Sequence, residues 1–301
     1  MKIQTPNYLQ KGDSVAIIST ARKISLDEIK PAIELLETWG LKVVVGKTIG
    51  LENNQFAGTL QERIDDLQDV LDDATIKAIW CARGGYGTVQ LMDKIDFSIF
   101  KKNPKWIIGY SDITVLHAHI HNFGIETVHA TMPINISKNS EDAKESLKNA
   151  LLGNQLYYEF PSHQLNISGK PNGEIIGGNL SVLYSLLGSK SSINTKNKLL
   201  FLEDLDEYLY HIDRMLQNLK RNGYFENVSG IIVGGMTQMR DNDIPFGKTA
   251  EEIILEIVKP YNIPVIFGAP FGHLDDNRTL IFGRNAQLIS DEKLVQIIFD
   301  N

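Results

Sequence analysis

The stretch KWIIGYSDITVLHAHIHNF (105–123) reads as a strand, a tight turn and a helix: an apolar run closes at Gly109-Tyr110, and Ser111 stands just ahead of a helical pattern. Toward the N-terminus the same alternation recurs. SVAIIS (14–19) is a short β-branched run, IKPAIELLETWG (29–40) a helical pattern closed by Gly40, and LKVVVG (41–46) a second apolar run. TLQERIDDLQDVLDD (59–73) is a helix and IKAIWC (76–81) a strand, followed by RGGYG (83–87) and a further helix. Pro31 falls in or near the first turn of the first helix, where its missing N–H costs little. Strands separated by helices of this length imply βαβ crossovers and a parallel sheet.

Toward the C-terminus the character changes. Residues 154–172 are polar and loop-like, with Pro161 and Pro171, and are expected to link two domains. A second block then supplies KLLFLED (198–204), SGIIVGG (229–235), VIFGA (265–269), TLIFG (279–283) and a closing, hairpin-like LVQIIF (294–299). The helix over 206–223 sets Leu209, Ile212, Leu216 and Leu219 on one face. The expectation is an N-terminal α/β domain over 1–153 and a smaller mixed α/β domain over 173–301, with a cleft between them as the default site.

Composition narrows the partners. The 301 residues are 43% hydrophobic and 22% charged, enough for two ordinary cores. A net charge of −7 argues against a nucleic-acid backbone or an anionic membrane as partner. The single cysteine, Cys81, admits no intramolecular disulfide and reads as a small buried hydrophobe. VAII (15–18) is too short for a signal-peptide core and no stretch has the length of a membrane span, so the expected location is cytoplasmic.

Three strand ends gather along one edge of the first sheet, where open α/β sheets bind ligands: Ile18-Ser19-Thr20, RGGYG and GYSD (109–112). The paired glycines of RGGYG let backbone N–H groups face a ligand closely, as a phosphate cradle, half of an oxyanion hole, or simply a tight turn. GYSD resembles a nucleophile elbow that lacks its last glycine, and Ser111 or Asp112 could equally cap the next helix. A serine nucleophile needs a base. His117, His119 and His121 spread over too wide an arc for one metal ion, and only 117 and 121 share a helix face. His129 ends an apolar run near the expected cleft; His163 and His211 read as surface residues. His273, in the loop GAPFGH (268–273) after a strand, is where a scaffold would display a base. Glu203 ends an apolar strand and would need a partner there, so Ser111, Glu203 and His273 could form a triad across two domains.

These pieces together resemble the serine LD-carboxypeptidases (muramoyltetrapeptide carboxypeptidases) and the related microcin-C self-immunity peptidases. Leu9, Gly12 and Asp13, RGGYG at 83–87, GYSDIT at 109–114, IIGGNLSVL at 175–183, FLEDLDE at 201–207, DRML at 213–216 and FGH at 271–273 occur in the family's order. Their order and separations carry the resemblance over nearly the whole chain. It implies a Rossmann-like N-terminal domain with a small β-rich C-terminal domain, and a cytoplasmic, commonly dimeric enzyme without metal or cofactor. It also implies a small peptide or muropeptide substrate that loses its terminal D-alanine. By position Ser111 is the implied nucleophile, Glu203 the orienting carboxylate and His273 the general base. Asp112 and a residue of the RGGYG loop, with Gly85 favoured, are the implied oxyanion donors. Three departures lie near the cleft: Ser19-Thr20-Ala21, His129-Ala130-Thr131-Met132-Pro133, and Ile281 after Thr279-Leu280.

A free substrate carboxylate calls for a cation, with Arg83, Arg240 and Arg278 as candidates. Two other readings stand beside this one. The immunity-type activity would cleave an aminoacyl-adenylate analogue, but Trp39, Trp80 and Trp106 all fall in core elements and offer no platform for its base. A two-domain binding protein without catalysis would leave Glu203 and His273 unexplained.

Overall fold

The computed structural model describes residues 3–300. Its N-terminal half contains β1 (Ser14–Ile18), α1 (Leu26–Thr38), β2 (Lys42–Val45), α2 (Leu60–Asp72) and β3 (Ile76–Cys81). A short α3 (Ser98–Lys102), β4 (Trp106–Gly109), α4 (Thr114–His121), β5 (Thr127–His129) and α5 (Glu141–Leu152) complete it. Helices begin where the sequence offers caps: Ser25 with Glu28, and Thr59 with Glu62, close reciprocal capping boxes on α1 and α2. The five strands are parallel in the order 2-1-3-4-5. This is a doubly wound order, and its crevice opens where the connections diverge, between β1 and β3.

Two local expectations shift. Pro31 lies inside α1, beyond the first turn, so the Asp27 carbonyl loses its helical donor. The segment after RGGYG forms two 3₁₀ turns, Thr88–Gln90 and Met92–Lys94, before the five-residue α3. Its start is tied elsewhere, because the Thr88 N–H donates to Asp112 Oδ2 at 2.9 Å, and Asp96 opens a fresh turn by accepting from Ser98 N at 2.8 Å.

The C-terminal half supplies β6 (Tyr157–Pro161), β7 (Asn172–Asn179), α6 (Leu180–Ser185), β8 (Leu199–Leu205), α7 (Leu209–Arg221) and β9 (Gly230–Thr237). It continues with α8 (Ala250–Val258), β10 (Val265–Ile266), β11 (Leu280–Phe282), β12 (Asn285–Ser290) and β13 (Leu294–Phe299). Seven strands form a mixed sheet in the order 10-9-8-7-12-13-6. The stretch expected as a linker therefore carries a strand: β6 pairs antiparallel with β13 because Tyr158 and Phe160 are buried while their neighbours face outward.

The expected division of strands also changes at TLIFG. β11 leaves the second block and pairs antiparallel with β5, extending the first sheet to six strands, and all three of its residues are buried. The two halves share their core. One apolar cluster runs from Ile18 and Ile113 to Leu202 and Val233; the other runs from Val15 and Val128 to Phe201 and Phe271. At the junction, a Cβ on Gly178 would stand 2.5 Å from Thr114 Oγ1, and that hydroxyl accepts the Asn179 N–H at 3.0 Å. The first residue of α4 is thus pinned to β7, and Asn179 of β7 pairs in register with Glu203 of β8.

Candidate active site

Ser111 sits just past β4 with φ +63°, a left-handed conformation that costs a residue with a Cβ roughly 1–2 kcal/mol. Several contacts hold it there. Gly109 lacks the Cβ that would stand 2.8 Å from Ile113 Cγ1. His117 Nε2 hydrogen-bonds the Gly109 carbonyl at 2.9 Å while its Nδ1 meets Thr127 Oγ1 at 2.8 Å. Burial draws the His117 pKa down to about 4, so the ring braces the turn as a neutral strut. The capping alternative fails on geometry: neither the 3₁₀ turn Ser111–Ile113 nor α4 has a side-chain cap. The serine hydroxyl is displayed on a strained strand-to-helix turn, as in a nucleophile elbow.

Asp112 points its carboxylate away from solvent toward Thr88. Burial pushes its pKa up, and the hydrogen bonds from Thr88 and Gly87 with the charge of Arg63 only partly offset this. Arg63 is itself buried, donating to the carbonyls of Thr20 (2.9 Å) and Gly87 (3.2 Å) and to Gln90 Oε1 (2.8 Å). One guanidinium thereby ties the loop after β1 to the loop after β3.

The adjacent glycines of RGGYG have different neighbours. A Cβ on Gly84 would lie 3.4 Å from both Ser111 Oγ and the Asp112 nitrogen. A Cβ on Gly85 would lie 2.6 Å from Arg22 Cδ and 2.7 Å from Arg22 Nε, and Gly85 has φ +104°. Gly84 faces the serine, and Gly85 holds the arginine. The N–H groups of Gly85 and Asp112 have no acceptor among the described residues.

Glu203 is fully buried on β8, at a register shift between Leu202 and Asp204 where β9 passes through Gly234 and Gly235. Such a bulge re-aims a side chain. A Cβ on Gly234 would collide with the Phe271 carbonyl, and one on Gly272 (φ +98°) would come within 2.8 Å of Glu203 Cγ and Oε2. Glycine at both places lets the loop after β10 lie directly on the acid. Glu203 Oε2 then accepts from His273 Nδ1 at 2.6 Å and from the His273 backbone N–H at 3.3 Å. Buried Asn277 anchors the loop, its Oδ1 accepting the Gly272 N–H at 2.7 Å.

Burial alone would lower the His273 pKa. The charge and hydrogen bond of Glu203, with the charge of Asp204, outweigh it, and the value is raised above the ordinary 6.5. Asp204 is pushed up to about 7, by burial first and then by Glu203, despite accepting from Asn179 Nδ2 and the N–H groups of Leu205 and Ser181. The Tyr110 ring packs edge-on against His273 with centroids 4.8 Å apart. Glu203 and His273 are therefore joined, and Tyr110, the residue before Ser111, packs on the His273 ring. The Glu203–His273 hydrogen bond is made, and none joins His273 to Ser111 among the described residues.

Other predicted residues fall outside this centre. Arg240 is engaged by Asp206 through two 2.5 Å bonds, and Arg278 pairs with Asp276 at 3.0 Å and Asp142 at 2.7 Å. Arg83 donates to the Lys23 carbonyl at 3.3 Å. His121 is buried against Lys198 Nζ at 2.8 Å, and His119 meets Ser191 Oγ at 2.9 Å. His129 is fully buried among aromatic rings, with neither ring nitrogen partnered among the described residues. His163 accepts the Leu165 N–H, and His211, half-buried, pairs with Glu207 at 2.6 Å. Cys81 is buried, which drives its thiol pKa up to about 12. The structure adds Arg22, Arg63, Thr88, His117 and Asn277 to the surroundings of the site. Of these, His117 stood out in the sequence only as one of a run of histidines, and Arg22 could have been found as a cation just past a strand end.

The chain matches the family models for the LD-carboxypeptidase N-terminal domain over residues 15–130 and C-terminal domain over 172–288. It is 35% identical to a probable murein peptide carboxypeptidase of Bacillus subtilis (strain 168), covering 97% of this chain and 93% of the relative. Among solved structures, a muramoyltetrapeptide carboxypeptidase from Oxalobacter formigenes superposes with TM-score 0.86 at 24% identity, over 96% of this chain and 99% of that one. The microcin C7 self-immunity protein MccF in complex with aspartyl sulfamoyl adenosine superposes with TM-score 0.86 at 25% identity, over 98% of each chain.

Proposed function

Because the chain belongs to the LD-carboxypeptidase family and is a carboxypeptidase, we propose that it removes the terminal D-alanine from murein tetrapeptides through Ser111, Glu203 and His273. The observation that carries the roles is the buried Glu203–His273 hydrogen bond, with Tyr110 packed on the His273 ring and the next residue, Ser111, capping no helix. In this reading His273 takes the Ser111 proton through Nε2 as the hydroxyl attacks the carbonyl before the terminal residue. The N–H groups of Asp112 and Gly85 receive the oxyanion. The imidazolium, its charge balanced by Glu203, protonates the leaving amine, and water then hydrolyses the acyl-enzyme with His273 again as base. Substrate binding is expected to bring the Ser111 hydroxyl and His273 Nε2 within hydrogen-bond reach.

The reading includes a cytoplasmic location and a homodimer, both carried over from the family resemblance. No helix among the described residues is long and apolar enough to cross a membrane.

The test is mass-spectrometric detection of D-alanine released from L-Ala-γ-D-Glu-meso-diaminopimelate-D-Ala and from its L-lysine counterpart. Wild type should release it, and Ser111→Ala should lose about 10⁴-fold or more of the rate. A second reading, cleavage of an aminoacyl sulfamoyl adenosine, draws support from the likeness to the microcin immunity protein. Against it, Trp80 and Trp106 are fully buried and their indole N–H groups donate to the carbonyls of Thr131 and Asn7. Cleavage of that conjugate without D-alanine release would favour this second reading.

A further inference from the structure

A carboxypeptidase must distinguish a chain end from an internal peptide, and the distinguishing group is the free carboxylate. The three arginines marked in the sequence are poorly placed to receive it. Arg240 and Arg278 are engaged by carboxylates, and Arg83 turns toward the Lys23 carbonyl and Glu28. Arg22 differs in each respect. It is exposed, forms no ion pair and no side-chain hydrogen bond among the described residues, and lies along Gly85 in the crevice between β1 and β3.

Its position fits the length of one residue. Gly84 abuts Ser111 Oγ and the Asp112 nitrogen, and Arg22 lies on the very next glycine. Consecutive Cα atoms are about 3.8 Å apart, and a terminal residue carries its carboxylate about 3.5 Å of chain beyond the scissile carbonyl. A substrate whose carbonyl rests at Ser111 and whose last residue runs along Gly84 and Gly85 would bring its carboxylate toward the Arg22 side chain. A planar guanidinium suits a carboxylate through paired N–H donors.

We propose that Arg22 receives the free carboxylate of the substrate's terminal residue and so determines that the enzyme acts on chain ends. The inference rests on the carboxypeptidase reading of the same site. Arg22 takes no part in bond making; it sets specificity.

The experiment compares release of the last residue from a tetrapeptide ending in D-alanine and from the same peptide as a C-terminal carboxamide, for wild type, Arg22→Ala and Arg22→Lys. Wild type should favour the free acid by on the order of a hundredfold in kcat/KM. Arg22→Ala should bring that ratio close to one, mainly through KM on the acid, and Arg22→Lys should restore part of the preference. General damage to the loop would slow both peptides alike and leave the ratio in place. An acid preference that survives in Arg22→Ala overturns the inference while leaving the carboxypeptidase reading intact. A wild type that releases neither D-alanine from the acid nor D-alaninamide from the carboxamide overturns both.

Discussion

The turn that carries Ser111 and the loop that carries His273 are held in place by opposite physical means. On the N-terminal side the device is backbone strain: Ser111 is held at φ +63° by neutral contacts, with His117 on the Gly109 carbonyl and a close Gly109–Ile113 approach. On the C-terminal side the device is electrostatic: a fully buried carboxylate holds an imidazole at 2.6 Å and raises its pKa. A strained turn aims a hydroxyl without changing its acidity. A buried ion-pair partner tunes a base, but it makes that base sensitive to pH.

The comparison can be broken at either end, and the largest remaining effect is expected at Glu203. Glu203→Gln should lower kcat by on the order of 10³–10⁴-fold, because the histidine loses the partner that fixes its tautomer. The same substitution should move the acid limb of the pH–rate profile. In wild type the limb should lie above 6.5, since in the proposed mechanism His273 must be neutral to act and its pKa is raised. Without Glu203, burial dominates and the limb should fall below the wild-type position. Stability runs the other way. The His273⁺–Glu203⁻ pair stabilises the fold fully below the unfolded pKa of about 6.5, and the contribution fades as pH rises through the raised folded value. An unshifted limb in Glu203→Gln would show that Glu203 does not tune the base.

A smaller effect should follow from Gly272→Ala. Its Cβ would sit 2.8 Å from Glu203 Cγ at φ +98°, so the loop must lift off the acid. A loss of about 1–2 kcal/mol in stability is expected, with roughly tenfold or greater loss of kcat/KM, read by thermal melts and steady-state rates. The smallest effect distinguishes the strained half. Ser111→Gly and Ser111→Ala should be equally inactive, but the glycine variant should be more stable by about 0.5–1 kcal/mol, because only glycine relieves a positive φ without penalty. Equal melting temperatures would argue against strain at this turn.

The βα alternation of the first half was legible because each strand is a compact β-branched run and each long helix carries its own cap. The Glu203–His273 pairing and the special turn at Ser111 were legible because chemistry-bearing residues at strand ends are conspicuous against apolar runs. What escaped depended on tertiary partners. Nothing in TLIFG says that it pairs with β5 rather than with its sequence neighbours, and a two-residue alternation in YYEFP is too short to outweigh the prolines and polar residues around it. Arg63 reads as one charge among many on an amphipathic helix, yet it is buried and joins two loops of the site. His117 belonged to a run that suggested metal ligation, but both its nitrogens brace the turn instead.

The placement of β11 bears on how the molecule is made. Ribosomal synthesis delivers the N-terminal residues first. The outer edge of β5, one strand away from the strand that leads into Ser111, waits for residues 280–282 of a 301-residue chain before it is covered. Until then the nascent first sheet exposes an unpaired edge, the kind of surface on which newly made chains stick to one another. Cutting the gene at residue 153 would make that interval permanent and leave the β5 edge unpaired. The strand that seals this edge follows His273 by only seven positions. Closing the sheet and delivering His273 are thus nearly the same event in the birth of the protein.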